Sequence, residues 1–128
     1  MKKTIKISNG EIFAIAITLK DLCNDPSFVL PIKANFYLQK NKSLFLELAQ
    51  EIEDSRNEIF AKFGTLNEEK TGYNFKEEVI EEANAELDDL LKLVQEIDLY
   101  MINLEDFKEI KLNSQQMSAL MLMIEEVE

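Results

Sequence analysis

One segment, LPIKANFYLQKN at residues 30–41, carries the side chains best suited to binding a partner. If it forms an α-helix, four side chains spaced by four, three and one residues share one face: Lys33, Tyr37, Lys40 and Asn41. Two ammonium groups, an aromatic ring and an amide can hold an anionic, partly planar ligand such as a nucleotide through charge-assisted hydrogen bonds and stacking. An acidic protein surface is the other partner that this face predicts.

The same residue types also have a purely structural interpretation, and the sequence leaves both open. Lys33 and Lys40 can lay their aliphatic stems along apolar surface, while Tyr37 packs at its edge. Asn41 then occupies a core position, where a buried amide sets register or oligomeric state.

Arg56 lies farther along the same segment and joins the candidate ligand set if a neighbouring subunit supplies it. Arg56 stands amid the acids Glu51, Glu53, Asp54 and Glu58, with Glu53 three positions away, so pairing along the helix also explains this arginine.

Most reaction chemistry is excluded by composition. The chain has no histidine, one cysteine and three isolated glycines, so histidine-based catalysis, structural zinc sites and glycine-rich phosphate loops are ruled out. Acid pairs such as Asp88 and Asp89 lie on an ordinary helix face, where solvated surface is the simpler interpretation, and Cys23 lacks a histidine base. We expect no enzyme, with no catalytic residue, no metal and no cofactor.

Charge divides the chain unevenly beneath its net charge of −11. Residues 1–42 hold seven lysines and three acids, whereas residues 43–128 hold seven basic and 22 acidic residues. The N-terminal third is therefore the region where an anionic partner finds a favourable field. The acidic remainder argues against a protein that coats DNA.

The single Cys23 cannot form a disulfide within the chain, which favours a reducing compartment. The apolar run at 12–19 is too short to span a bilayer, and no small-residue cleavage site follows it. We therefore expect a cytoplasmic protein without membrane association.

Three helices and a strand are predicted before residue 97. Alternating β-branched residues at 4–8 predict a strand, and Ser8 or Asn9 can cap a helix to about Asn24. Pro31 suits the first turn of a second helix that continues to Phe63, a length of about 50 Å. A third helix is expected from about 74 to 96.

Both long helices carry apolar residues at heptad spacing. In the second helix the seam is Ala34, Leu38, Asn41, Phe45, Leu48, Ile52, Ser55 and Ile59, and in the third it is Ile80, Ala83, Leu87, Leu90, Val94 and Ile97. A polar linker at 65–74 joins them, which predicts an antiparallel hairpin. The longer helix overhangs its partner, and that overhang needs cover from the terminal elements or from a second subunit. We expect a homo-oligomer, in the first instance a dimer.

Residues 97–112 lose the helical period and predict one or two short strands that pair with 4–8, after which Ser114 caps a last helix. The predicted fold class is α+β and mostly α. It consists of a long antiparallel helical hairpin with a small β-sheet from the N-terminal and 97–112 segments, in a single domain over 1–128.

The chain also resembles a known group of proteins at LPIKANFYLQKN, at LAQEIEDSRNEIFAKFG and at LNSQQMSALMLMI. The likeness to a family of small proteins encoded by bacteriophages and prophages of Gram-positive bacteria covers most of the chain and is carried by Leu30, Pro31, Lys33, Asn41, Arg56, Lys62 and Gly64. The resemblance implies a phage or prophage origin, expression in the cytoplasm of a bacterial host and no cofactor. The family has no agreed activity.

A small phage protein without catalytic residues is expected to act stoichiometrically. The favoured hypothesis is a counter-defence protein that sequesters a host immune signal nucleotide or occludes a host defence protein. The alternative is a component of the virion or of tail assembly. Polar and aromatic residues gather at one end of the long helix, which favours the first.

Overall fold

The computed structural model describes residues 2–66 and 73–125, and its elements confirm an α+β, mostly helical fold. The helices are α1 (Asn9–Cys23), α2 (Ile32–Phe63), α3 (Glu77–Lys92) and α4 (Ser114–Met121), with a short 3-10 helix at Leu104–Phe107. The strands are β1 (Lys2–Ser8), β2 (Thr65–Leu66), β3 (Tyr73–Asn74), β4 (Val94–Tyr100), β5 (Ile102–Asn103) and β6 (Ile124–Glu125).

The start of α1 is capped as predicted and is anchored to distant parts of the chain. Ser8 Oγ accepts a hydrogen bond from the backbone N–H of Glu11 at 3.2 Å, which satisfies one of the free donors of the first turn. Asn9 donates its backbone N–H to the Leu93 carbonyl at 2.8 Å and its side-chain amide to the Leu90 carbonyl at 2.9 Å. These bonds hold α1 against the junction between α3 and β4.

The long α2 confirms the predicted helix within one residue at its start. Five seam positions are buried: Ala34, Leu38, Asn41, Phe45 and Ile52. The remaining seam residues, Leu48, Ser55 and Ile59, are half-buried.

The hairpin is also present, because the end of α2 packs against α3 and the segment just before it. The Phe60 and Phe75 rings lie 5.7 Å apart, and Lys62 Nζ lies 2.8 Å from a carboxylate oxygen of Glu86. Of the predicted linker, residues 67–72 lie outside the described residues, while β2 and β3 pair as antiparallel strands.

The overhanging part of α2 is covered by the same chain. It packs mainly against α1, and β4 and β5 also contact it. The expected homo-oligomer therefore remains a prediction, but the overhang no longer requires a second subunit.

The predicted bounds of two helices are wrong. The third helix runs from Glu77 to Lys92 instead of 74–96. It begins later because Asn74 belongs to β3 and Lys76 is extended, and it ends earlier because Leu93 is extended (φ −59°, ψ 134°). The heptad residues Val94 and Ile97 belong to β4. The last helix is capped by Asn113 instead of Ser114. The Asn113 side chain accepts the Gln116 N–H at 2.8 Å, and the Gln116 side chain accepts the Asn113 N–H at 3.0 Å.

The predicted pairing of the N-terminal strand with the later segment is confirmed, with a shifted range. β1 and β4 are antiparallel, from Lys2 opposite Tyr100 to Ser8 opposite Val94. The later strand begins before residue 97, and Ile102–Asn103 pairs in parallel with Ile124–Glu125 instead of with β1. One face of the β1–β4 pair turns Ile7 and Leu99 into the core.

Candidate functional site

Tyr37 lies at the centre of the predicted binding face, and its ring is stacked on Tyr100 of β4. The two ring centroids are 5.0 Å apart, with an angle of 15° between the planes. Lys2 Nζ lies 4.6 Å from the centroid of Tyr100, and Lys33 Nζ lies 5.8 Å from that of Tyr37. Each ring therefore already has an aromatic partner and a nearby cation, which reduces the ring surface left for a planar ligand.

Asn41 is buried, with 1% of its surface exposed, and its amide is paired inside the protein. Its Oδ1 accepts the backbone N–H of Tyr100 at 2.9 Å, and its Nδ2 donates to the Tyr100 carbonyl at 2.9 Å. Nδ2 also lies 3.4 Å from Met123 Sδ. The structure thus places Asn41 at a core position, where it fixes the end of β4 against α2.

The exposed face of the first turns of α2 contains two large apolar side chains that sequence reasoning missed. Ile32 is 91% exposed and Phe36 is 55% exposed. Lys40 Nζ lies 5.4 Å from the centroid of the Phe36 ring, and Lys33 lies on the same side of the helix. We call Ile32, Lys33, Phe36 and Lys40 the α2 N-terminal surface. The sequence feature that could have identified them is their spacing: Ile32 and Phe36 are four residues apart, and both lie off the heptad seam.

Two clefts flank the tyrosine stack, and both have walls of mixed charge. The first, of about 330 Å³, lies between α2 and the 3-10 helix and brings Lys33 together with Asp106 and Glu125. The second, of about 410 Å³, lies between α2 and β4 and is lined by Lys2, Lys40, Asn41, Leu44, Leu48, Gln95, Glu96, Ile97, Asp98 and Tyr100. The fold therefore sets acids from the C-terminal part beside the lysines, which weakens the positive field expected here.

Arg56 does not join the other candidate residues within one chain. It lies 16 residues after Lys40 on α2, which corresponds to about 24 Å along a helix. Its guanidinium pairs with Glu53 at 2.7 Å and lies 5.6 Å and 5.7 Å from the Phe13 and Phe60 ring centroids. Among the described residues, no hydrogen-bond partner is found for its buried Nε atom. A shared site with Lys33 and Lys40 would need a neighbouring subunit.

Cys23 is half-buried at the end of α1, and burial raises the pKa of its thiol, while Lys42 and then Gln39 act in the opposite direction. Since the thiolate is the reactive form, we expect iodoacetamide at pH 8 to label the folded chain several-fold more slowly than the denatured chain. Mass spectrometry of samples taken over time measures both rates. Equal labelling rates in the two states would contradict the raised pKa of the folded thiol.

A raised pKa also means that thiol ionisation destabilises the fold as the pH rises above 9.0.

Comparisons of the chain with protein-family models, with curated proteins and with solved structures found no significant match. The resemblance to phage-encoded proteins therefore stays a prediction. Within residues 2–66 and 73–125, no helix combines the length and apolar character needed to cross a membrane.

Proposed function

We propose that this chain is a phage-encoded, non-catalytic binding protein that acts stoichiometrically in the cytoplasm of its bacterial host by occluding a host defence protein. The observation that carries the proposal is the α2 N-terminal surface, where Ile32 and Phe36 are exposed beside Lys33 and Lys40. A host protein bound to this surface could not use the same region to bind its other partners.

The chemistry of this surface suits a protein partner. Aromatic and aliphatic side chains at the centre of an interface supply most of the binding energy when they enter a pocket of the partner. Ile32 and Phe36 are one helical turn apart, so both can enter one groove. Lys33 and Lys40 lie beside them on one side, and a groove with acidic residues along that side is the complementary surface.

Capture of a nucleotide, the other form of the counter-defence hypothesis, has less support. Tyr37 and Tyr100 already stack on each other at 5.0 Å, and Asn41 already pairs with the Tyr100 backbone. Asp106 and Glu125 stand in the same cleft as Lys33, where they would repel a phosphate.

The proposal is tested by phage plating on bacteria that carry single defence systems. We expect the chain to restore plating against at least one system, and the pair Ile32→Ser with Phe36→Ser to reduce that effect at least about tenfold, because a binding anchor is lost. The matched control is Ile17→Ser with Met121→Ser, which removes exposed apolar side chains from α1 and α4 and should leave plating unchanged. Melting curves should be similar for all three proteins, since only exposed residues change.

Three outcomes would contradict occlusion of a host protein. The first is a small molecule released from the protein on denaturation and lost with Lys33→Ala and Lys40→Ala, which would indicate nucleotide capture. The second is detection of the chain by mass spectrometry in purified phage particles, which would indicate a virion component. The third is full activity of the Ile32 and Phe36 variant.

A further inference from the structure

The outer edge of β4, the edge that faces away from β1, carries backbone hydrogen-bonding groups that β1 does not use. In an antiparallel pair, the N–H and C=O of one residue point to the same side, and successive residues alternate sides. Both groups of Tyr100 bond to Asn41, so they point away from β1. The Leu93 carbonyl accepts from Asn9, just beyond β1, which agrees with the same alternation. The backbone groups of Glu96 and Asp98 therefore point outward with those of Tyr100.

Asn41 occupies the position at Tyr100 that a third strand would take. Its amide both donates to and accepts from a single residue, which is the exchange of bonds that a hydrogen-bonded antiparallel pair makes. The next outward positions are Asp98 and Glu96. Within residues 2–66 and 73–125, no hydrogen bond to the outward backbone groups of these two residues is found.

The larger cleft runs along this edge. Its lining includes five of the six residues from Gln95 to Tyr100 but only Lys2 from β1, which locates it beside β4 and not over the face of the pair. Its opposite wall is α2, with the half-buried Leu44 and Leu48. The volume of about 410 Å³ falls within the range of ligand-binding pockets, about 300–1,000 Å³.

We propose that this cleft binds an extended segment of a partner protein, which adds to β4 as a third strand. Strand addition uses backbone bonds for affinity and alternate side chains for specificity. One set of alternate side chains would face Leu44 and Leu48 and should be apolar. The other set would lie beside the exposed carboxylates of Glu96 and Asp98 and should be lysine, arginine or threonine.

The chain itself contains an example of a segment that satisfies these requirements. On its inner edge β4 pairs with β1, in which Ile5 and Ile7 alternate with Thr4 and Lys6. Lys6 Nζ lies 3.7 Å from Glu96, and Thr4 donates a hydrogen bond to Asp98. A peptide with the sequence KTIKIS is therefore a suitable probe for the outer edge. This proposal goes beyond counter-defence and does not depend on it.

The test compares peptide binding to the full chain and to two variants at one position. Glu96→Pro removes the outward N–H and keeps the bonds to β1, because proline is tolerated where the N–H of an edge strand faces outward. Glu96→Ala is the matched control, since it removes the same carboxylate and keeps the N–H. We expect the acetylated peptide KTIKIS to bind wild type and Glu96→Ala, and to bind Glu96→Pro at least about tenfold more weakly.

A second measurement guards against misfolding of the proline variant. In the wild-type chain, bound peptide should slow hydrogen exchange of the Glu96 and Asp98 amides, as measured by nuclear magnetic resonance. The peptide IITKKS, which has the same composition without alternation, should not. Three results would overturn the proposal: no binding of KTIKIS to wild type at millimolar concentration, unchanged exchange at both amides, or equal binding to Glu96→Pro, which would mean that the peptide displaces β1.

Discussion

Replacing Asn41 with alanine is expected to lower the free energy of unfolding by about 2–4 kcal/mol, because both backbone groups of Tyr100 lose their partner, the buried amide of Asn41. For a chain of this size the loss corresponds to a fall in melting temperature of about 10 °C. Thermal unfolding followed by circular dichroism measures it.

Asn35→Ala is the matched control, since Asn35 is an exposed amide on the same helix and its replacement should change stability by less than about 0.5 kcal/mol. If Asn41→Ala melts within about 2 °C of the wild type, the amide contributes little to holding β4 in place, contrary to its geometry.

Phe45→Ala should have the largest effect on stability, about 3–5 kcal/mol, because it removes a ring that is 0% exposed and leaves a cavity between packed elements. Urea unfolding at equilibrium provides the free energy for each variant.

Phe36→Ala provides the comparison within one helix. The same change of residue type at a position that is 55% exposed should cost less than about 1 kcal/mol. Similar losses for the two phenylalanines would mean that the assigned seam does not face the core. The Phe36 variant also separates stability from binding, since we expect it to fold and yet to weaken partner occlusion.

Much of the helical framework could be predicted from local residues. Between Pro31 and Gly64 no glycine or proline interrupts α2, and the heptad spacing identified its buried side. Ser8 also marked the start of α1, because a serine cap acts within one turn. These features depend on residues that are close together in the chain, which is why they could be predicted from the sequence.

The features that were missed depend on residues far apart in the chain. Val94 and Ile97 continue the heptad spacing of the third helix, but in β4 they lie on opposite faces, with Val94 exposed and Ile97 buried. The pairing of β4 with β1 makes these residues a strand despite their helical spacing.

The candidate site differed from expectation for the same reason. The lysines near residues 33–40 lie in a basic third of the sequence, but folding brings Glu96, Asp98, Asp106 and Glu125 beside them. The exposure of Ile32 likewise could not be read from its residue type.

The pairing of β1 with β4 also sets an order of events during synthesis. The paired residues are 86 to 98 positions apart, so a ribosome adding about 5–20 residues per second produces β4 roughly 4–20 s after β1. During that interval Ile5 and Ile7 lack their sheet partner. Lys2, Lys3 and Lys6 give the waiting strand a positive charge, which disfavours its association with identical strands on neighbouring nascent chains.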